Sequence, residues 1–193
     1  NIRKFVRYLL SSNSAEVLAL AVNLLVGGPL VLLPVHVLWI NLLTDGVSAV
    51  ALGLEAAEPD QMDRPPLPAN APVLDRDGLA VLALFGLYIG LACVAVFYAS
   101  LDRGDTFART MAFTTLVCAQ EFAVFAFRSR LRSALGLGLL SNPWLLVAVL
   151  AMFALQAAAI YWPPLQALLG TVALPPADLA LALSVSVPVI VLP

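Results

Sequence analysis

Three groups of polar side chains interrupt an otherwise apolar sequence, and their residue types suit a hard cation. In Leu38-Trp39-Ile40-Asn41-Leu42-Leu43-Thr44-Asp45-Gly46, the residues Asn41, Thr44 and Asp45 stand at i, i+3 and i+4. That spacing places an amide, a hydroxyl and a carboxylate on one helix face. Gly46 follows directly and predicts local unwinding, which frees carbonyl oxygens as broken helices do at the ion sites of transporters. Upstream, Glu16 has Asn13 three residues before it and Asn23 two turns after it, near the same face. Downstream come Gln120 and Glu121. Adjacent helical residues point about 100° apart, so one of these two is expected at the same centre and the other in a bond between helices.

Counting oxygens gives the cluster a size. Asn13, Asn41, Thr44 and Gln120 offer one each, and Glu16 and Asp45 up to two each, a sum of about eight against the six to eight that Ca²⁺ takes. Two ions need roughly twelve or more, so these residues fill one site and part of another. The absence of thiolates and imidazoles from the centre disfavours zinc and copper. Ca²⁺ fits first and Mn²⁺ second, with Na⁺, K⁺ and H⁺ remaining open. His36, the sole histidine, falls near the end of its apolar segment and reads as an interfacial polar residue rather than a proton relay. Cys93 and Cys118 lie inside separate apolar runs and read as buried small hydrophobes, not as a disulfide or a zinc site.

The elements that must position these groups are membrane helices. Of 193 residues, 62% are apolar and 11% charged, against roughly 45–50% and 25% in soluble domains. Mean hydropathy is +0.97. Six windows approach the ~20 apolar residues that cross a bilayer, at about 5–26, 34–54, 78–101, 107–127, 143–161 and 176–193. The fold class expected is all-α: one membrane domain over 1–193, a polytopic bundle of six transmembrane helices with the second unwound at mid-membrane. Glu16, Asp45 and Glu121 then fall inside hydrocarbon, where an ionisable group costs about 2.5–3.5 kcal/mol even on insertion scales and marks an ion path, cavity or partner.

Orientation follows from the basic residues. With the first residue in the cytoplasm, Arg3, Lys4, Arg7, Arg64, Arg76, Arg128, Arg130 and Arg132 lie inside, and Arg103 and Arg109 outside. Both ends are therefore expected in the cytoplasm, on a multi-pass protein of the cell membrane. The 10 basic and 12 acidic residues give a net charge of −2, which offers no stripe for nucleic acid. The chain opens at Asn1 without a signal-peptide pattern and stops in mid-pattern, so it is expected to be a piece of something larger.

Together these residues resemble P-type ATPases of the sarcoplasmic-reticulum calcium-pump class, in particular the bacterial type. The resemblance is carried by Ser11-Ser12-Asn13-Ser14-Ala15-Glu16, by Trp39 to Gly46, and by Asp60-Gln61-Met62-Asp63-Arg64-Pro65-Pro66. Ala108-Arg109-Thr110-Met111-Ala112-Phe113 and Ser186-Val187-Pro188-Val189 agree with it. It implies the C-terminal membrane half of such a pump, its fifth to tenth helices. It further implies that Asn13, Glu16 and Thr44 serve one ion site, Asn41 a second, and that Asp45 bridges both. The family's acidic ligand on the eighth helix aligns with Gln120, so a charge is missing there and a one-ion cycle becomes possible. Glu58, Asp60 and Asp63 resemble the loop that couples the bundle to the phosphorylation domain.

The mechanism so implied is alternating access driven by an aspartyl phosphate, exporting Ca²⁺ with protons returning to the emptied carboxylates. No Asp-Lys-Thr-Gly-Thr motif, nucleotide-binding loop or fourth helix with its own carboxylate occurs in these residues. ATP and Mg²⁺ are therefore expected on domains outside the chain, which by itself neither hydrolyses ATP nor pumps. The partners expected are the lipid bilayer and the N-terminal remainder of the same pump, with its fourth helix and phosphorylation domain. A secondary cation carrier also needs midplane carboxylates but shows a paired set of broken helices. A structural membrane subunit leaves the Asn/Thr/Asp cluster unexplained.

Overall fold

The computed structural model describes residues 2–55, 74–128 and 142–192. Within them the secondary structure is helical: α1 Ile2–Val26, α2 Pro34–Gly53, α3 Arg76–Ala99, α4 Asp105–Ala126, α5 Pro143–Tyr161, α6 Pro163–Leu169 and α7 Pro176–Ser186. A 3₁₀ segment, Val187–Val191, continues α7. Proline stands in the first turn of α2, α5, α6 and α7, where its missing N–H costs nothing. Asp75 caps α3 by accepting from the Gly78 N–H at 2.9 Å, and Asn142 caps α5 by accepting from the Leu145 N–H at 3.1 Å. Gly170, at φ 65°, ends α6 in the left-handed conformation.

Four helices, α1, α2, α3 and α5, are long and apolar enough to cross a membrane, and the protein is a multi-pass membrane protein. The other two expected spans differ for separate reasons. α4 is the central element, with Thr114, Thr115, Gln120 and Glu121 all buried along it. A helix enclosed by other helices need not be apolar all round to avoid lipid. α7 has 11 residues before it tightens into 3₁₀ geometry. α6 lies between the fifth and sixth apolar windows, where the sequence predicts no element.

The largest departure from expectation is in α2, which is not unwound. It runs as α-helix over Pro34–Trp39, as π-helix over Ile40–Thr44 and as α-helix again over Asp45–Gly53. The Asp45 N–H reaches the Ile40 carbonyl, so the irregular turn lies before Asp45 and not after Gly46. Backbone groups in hydrocarbon must be satisfied within the segment. A π turn accommodates an extra residue and keeps the hydrogen-bond ladder, whereas unwinding forfeits it.

α1 and α3 pack closely through a signal the sequence reading did not use. Gly86 and Gly90, four residues apart, turn toward Ser14, Ala15 and Leu18 of α1, and a methyl at either position would collide with them. This small-xxx-small pattern lets two backbones approach in lipid.

Candidate functional site

α1 carries a buried stripe of Tyr8, Ser12, Ala15, Glu16, Ala19 and Asn23, each three or four residues from another member as one helix face requires. α2 runs antiparallel to it, pairing Tyr8 with Asp45 and Glu16 with Asn41. α4 lies parallel to α2: Ser48 meets Glu121, and seven residues on, Glu55 meets Arg128. Three helices thus deliver three carboxylates to one interior.

Glu16 is the centre of one cluster, outer in the sense that it lies farther from the N-terminal end of α1, with 3% of its surface exposed. Its Oε1 accepts from the Gln120 amide at 3.0 Å and its Oε2 from the Asn41 amide at 2.9 Å. Asn41 also donates to the Val37 carbonyl at 3.0 Å. Asp45, 1% exposed, accepts from the Tyr8 hydroxyl through Oδ1 at 3.1 Å, while its Oδ2 has no partner. Asp45 lies within coulombic reach of Glu16. Thr44 is buried beside it. Gln120 turns its amide nitrogen to Glu16 and leaves its buried Oε1 unpartnered.

Asn13 does not join this cluster. Its amide donates to the Leu9 carbonyl one turn back on the same helix, at 2.7 Å. The i, i+3 spacing leaves it at the edge of the stripe that Ser12 and Glu16 occupy. His36 is also not interfacial: it is fully buried and stacks on Phe113 with ring centroids 4.5 Å apart. Its Nδ1 accepts from the Leu33 N–H at 3.3 Å, so Nε2 carries the hydrogen and donates to the Leu169 carbonyl at 2.7 Å. Nδ1 thus closes the start of α2, and Nε2 joins α2 to α6. Cys93 and Cys118 are free and buried.

Gln120 and Glu121 both face inward, but toward different partners. Gln120 reaches Glu16; Glu121 accepts from the Ser48 hydroxyl, which stands 3.0 Å from each of its oxygens. Ser48 and Tyr8 were not singled out from the sequence, although Ser48 follows Asp45 by three residues and Tyr8 precedes Ser12 by four. Among the described residues, no three His, Cys, Asp or Glu side chains gather into a metal cluster, so amides and hydroxyls are essential to any cation site here.

A second polar knot closes one end of the bundle. Arg128 is buried, not a loop charge, and forks onto Glu55 through Nη2 at 2.7 Å and Nε at 3.0 Å. The Asn142 amide adds a bond to Glu55 at 2.7 Å. Burial alone raises the Glu55 carboxyl, but the bonds from Arg128 and Asn142 outweigh it and hold Glu55 below its ordinary value. The knot ties together the ends of α2 and α4 and the start of α5. Glu58, Asp60 and Asp63, together with Arg64, Arg130 and Arg132, lie outside the described residues.

Comparison with known proteins places this arrangement. A family model described as "Cation transporting ATPase, C-terminus" matches residues 29–192. The chain belongs to that family. Among its relatives is the "Calcium-transporting ATPase" of Bacillus subtilis (strain 168), 40% identical over 190 residues, which cover 96% of this chain and 21% of that protein. "Calcium-transporting ATPase 1" of Lactococcus lactis subsp. lactis (strain IL1403) is 36% identical over 155 residues, 80% of this chain and 18% of that protein. A fungal relative, "Calcium-transporting ATPase 1" of Schizosaccharomyces pombe (strain 972 / ATCC 24843), is 33% identical over 186 residues, 95% of this chain and 21% of that protein. The chain thus spans about a fifth of the length of these cation-transporting ATPases.

Proposed function

We propose that the chain is the C-terminal membrane domain of an ATP-driven P-type pump that exports Ca²⁺, and that Glu16, Asn41, Thr44, Asp45 and Gln120 hold the ion, with Asn13 at the margin. One observation carries this reading: Glu16 and Asp45, on separate helices, are buried within coulombic reach of each other, and no basic side chain hydrogen-bonds to either among the described residues. Buried charge without a counter-charge is costly, and a hard divalent cation supplies one. The names of the relatives favour Ca²⁺ over Mn²⁺, Na⁺, K⁺ and H⁺.

The amides explain how the site tolerates two states. With their nitrogens toward Glu16, Asn41 and Gln120 stabilise its charge. Turning each amide about its terminal torsion exchanges nitrogen for oxygen, and both become cation ligands. Asn41 is exposed at one side of the cluster, which suits closure by the fourth helix of the complete pump. In this reading the bundle contributes six membrane spans, with both chain ends in the cytoplasm of a cell-membrane protein. Glu58, Asp60 and Asp63 couple it to a phosphorylation domain elsewhere in the pump, where ATP and Mg²⁺ bind. Protons return on the emptied carboxylates.

Calcium-dependent phosphorylation of the complete pump in membranes tests the assignment. Asp45→Asn and Glu16→Gln should each raise the calcium concentration needed by more than about 100-fold, since loss of one charged ligand costs on the order of 3 kcal/mol. Unaltered calcium dependence in Asp45→Asn would remove the central ligand and the reading with it.

A further inference from the structure

The amides that serve Glu16 do nothing for the inner half of the polar interior. There Asp45 and Glu121 are 1% and 0% exposed and lie within coulombic reach of each other. The side chains between them are neutral hydroxyls. Tyr8 donates to Asp45 at 3.1 Å and feels the charge of Glu121 as well. Ser48 straddles the Glu121 oxygens at 3.0 Å each, and its single hydrogen can serve only one at a time. Ser12, one turn from Tyr8, lies beside Tyr8 and Asp45. Its hydroxyl, on a residue 1% exposed, has no hydrogen-bond partner, and neither has Asp45 Oδ2. Two buried carboxylates therefore meet three hydroxyls, and one carboxylate oxygen and one hydroxyl among them are left without a hydrogen bond. The basic groups buried nearby are engaged elsewhere: Arg7 with Asp75, Arg128 with Glu55.

We infer that Asp45, Glu121, Ser48 and Ser12, with the Tyr8 oxygen at the margin, form a second hard-cation site one helical turn inward of Glu16. The two sites share Asp45, and the pump binds two ions. With Asp45 giving one oxygen to each site, up to two from Glu121 and one from each hydroxyl make about six, enough for one Ca²⁺. The charge that Gln120 does not supply at the outer cluster is supplied by the next residue, 100° round the helix, to a different pocket. Glu121 is thus a ligand of the inner ion rather than a substitute ligand of the outer one. The inference rests on the proposed calcium-pump function and adds a site to it.

Radioactive calcium occluded per phosphorylated molecule, measured on the complete pump in membranes, tests it. The wild type should occlude two ions, with a cooperative calcium dependence of phosphorylation. Glu121→Gln should occlude one and lose the cooperativity while still forming some calcium-dependent phosphoenzyme through the outer site. Because a buried substitution can impair folding, Ser48→Ala gives a second reading: it keeps the carboxylate and should weaken the second binding step roughly tenfold. A wild-type count of one, or two ions retained in Glu121→Gln, or an unchanged binding curve in Ser48→Ala, overturns the inner site and leaves the calcium pump standing. A wild type without calcium-dependent phosphoenzyme overturns both.

Discussion

Gln120 shows how one atom can set the resting state of an ion site. Its amide nitrogen stands 3.0 Å from Glu16 Oε1, a charge-assisted bond worth about 1.5–3 kcal/mol. Gln120→Glu replaces that donor by a second acceptor, so two carboxyls face each other until a cation or a proton separates them. In detergent with a calcium chelator the variant should melt below the wild type, and added calcium should raise its melting temperature by more than it raises that of the wild type. Equal calcium-induced shifts in the two proteins would show that residue 120 is remote from the ion. His36 illustrates the opposite kind of polar residue. With both ring nitrogens bonded and one face on Phe113, it has no valence left for a moving proton. His36→Ala should therefore destabilise the fold by about 2–4 kcal/mol, from two lost hydrogen bonds to groups left buried. The calcium dependence of phosphorylation in the molecules that do fold should stay unchanged, and a shift in that dependence would reopen a role in transport.

At the scale of elements, the π turn of α2 decides which side chains meet. Leu42 lies inside it and is 67% exposed, so deleting this one residue returns the segment to α geometry without opening a core cavity. Asn41 would then rotate about 100° relative to Asp45 and lose Glu16. The deletion variant should fold but need far more calcium for phosphorylation; normal calcium dependence would make the π turn incidental. The Glu55–Arg128–Asn142 knot is a separate matter of stability. Removing one partner of a buried ion pair costs about 3–5 kcal/mol, so Glu55→Ala should lower the melting temperature sharply, and adding Arg128→Met should restore part of it. The Glu55 carboxyl is held below its ordinary value, so its contribution is complete above pH ~4.3, the unfolded carboxyl value. It is lost as pH falls through the lower folded one. These elements also mark the limit of reading by pattern. The apolar windows at about 5–26, 34–54, 78–101 and 143–161 fall within a few residues of α1, α2, α3 and α5, because exposure to lipid demands apolar side chains whatever the packing. Hydropathy could not foresee that α4 would be central, since a helix sheltered by its neighbours is released from that demand. The i, i+3, i+4 argument for Asn41, Thr44 and Asp45 assumed α geometry, which the π turn breaks; the i, i+3 spacing of Asn13 to Glu16 could not show that the Asn13 amide turns back to the Leu9 carbonyl. Arg128 was counted as a loop charge because nothing local in the sequence ties it to Glu55, 73 residues away.

For the whole molecule, the remaining question is which way the bundle sits in the membrane. α5 is 19 residues long, about 28 Å at 1.5 Å per residue, which matches a hydrocarbon core of about 30 Å. Trp144 and Trp162, 66% and 56% exposed, stand at its two ends as interfacial anchors do. α3 is the best reporter of direction, because exposed acidic residues flank it, Asp77 at its start and Asp102 just past its end. Eight basic residues against two favour the Asp77 end as cytoplasmic. Burial of the natural thiols, Cys93 and Cys118, leaves the surface free for single introduced cysteines. In intact cells a membrane-impermeant maleimide should label Asp102→Cys at once and Asp77→Cys only after permeabilisation. The reverse order would invert the bundle and carry the inner face of the proposed cation site to the outside. Labelling of both positions from one side would mean that α3 does not span. Because α1 and α3 are locked through Gly86 and Gly90, the direction of α3 fixes that of α1, and with it the side from which Glu16 and Asp45 are reached.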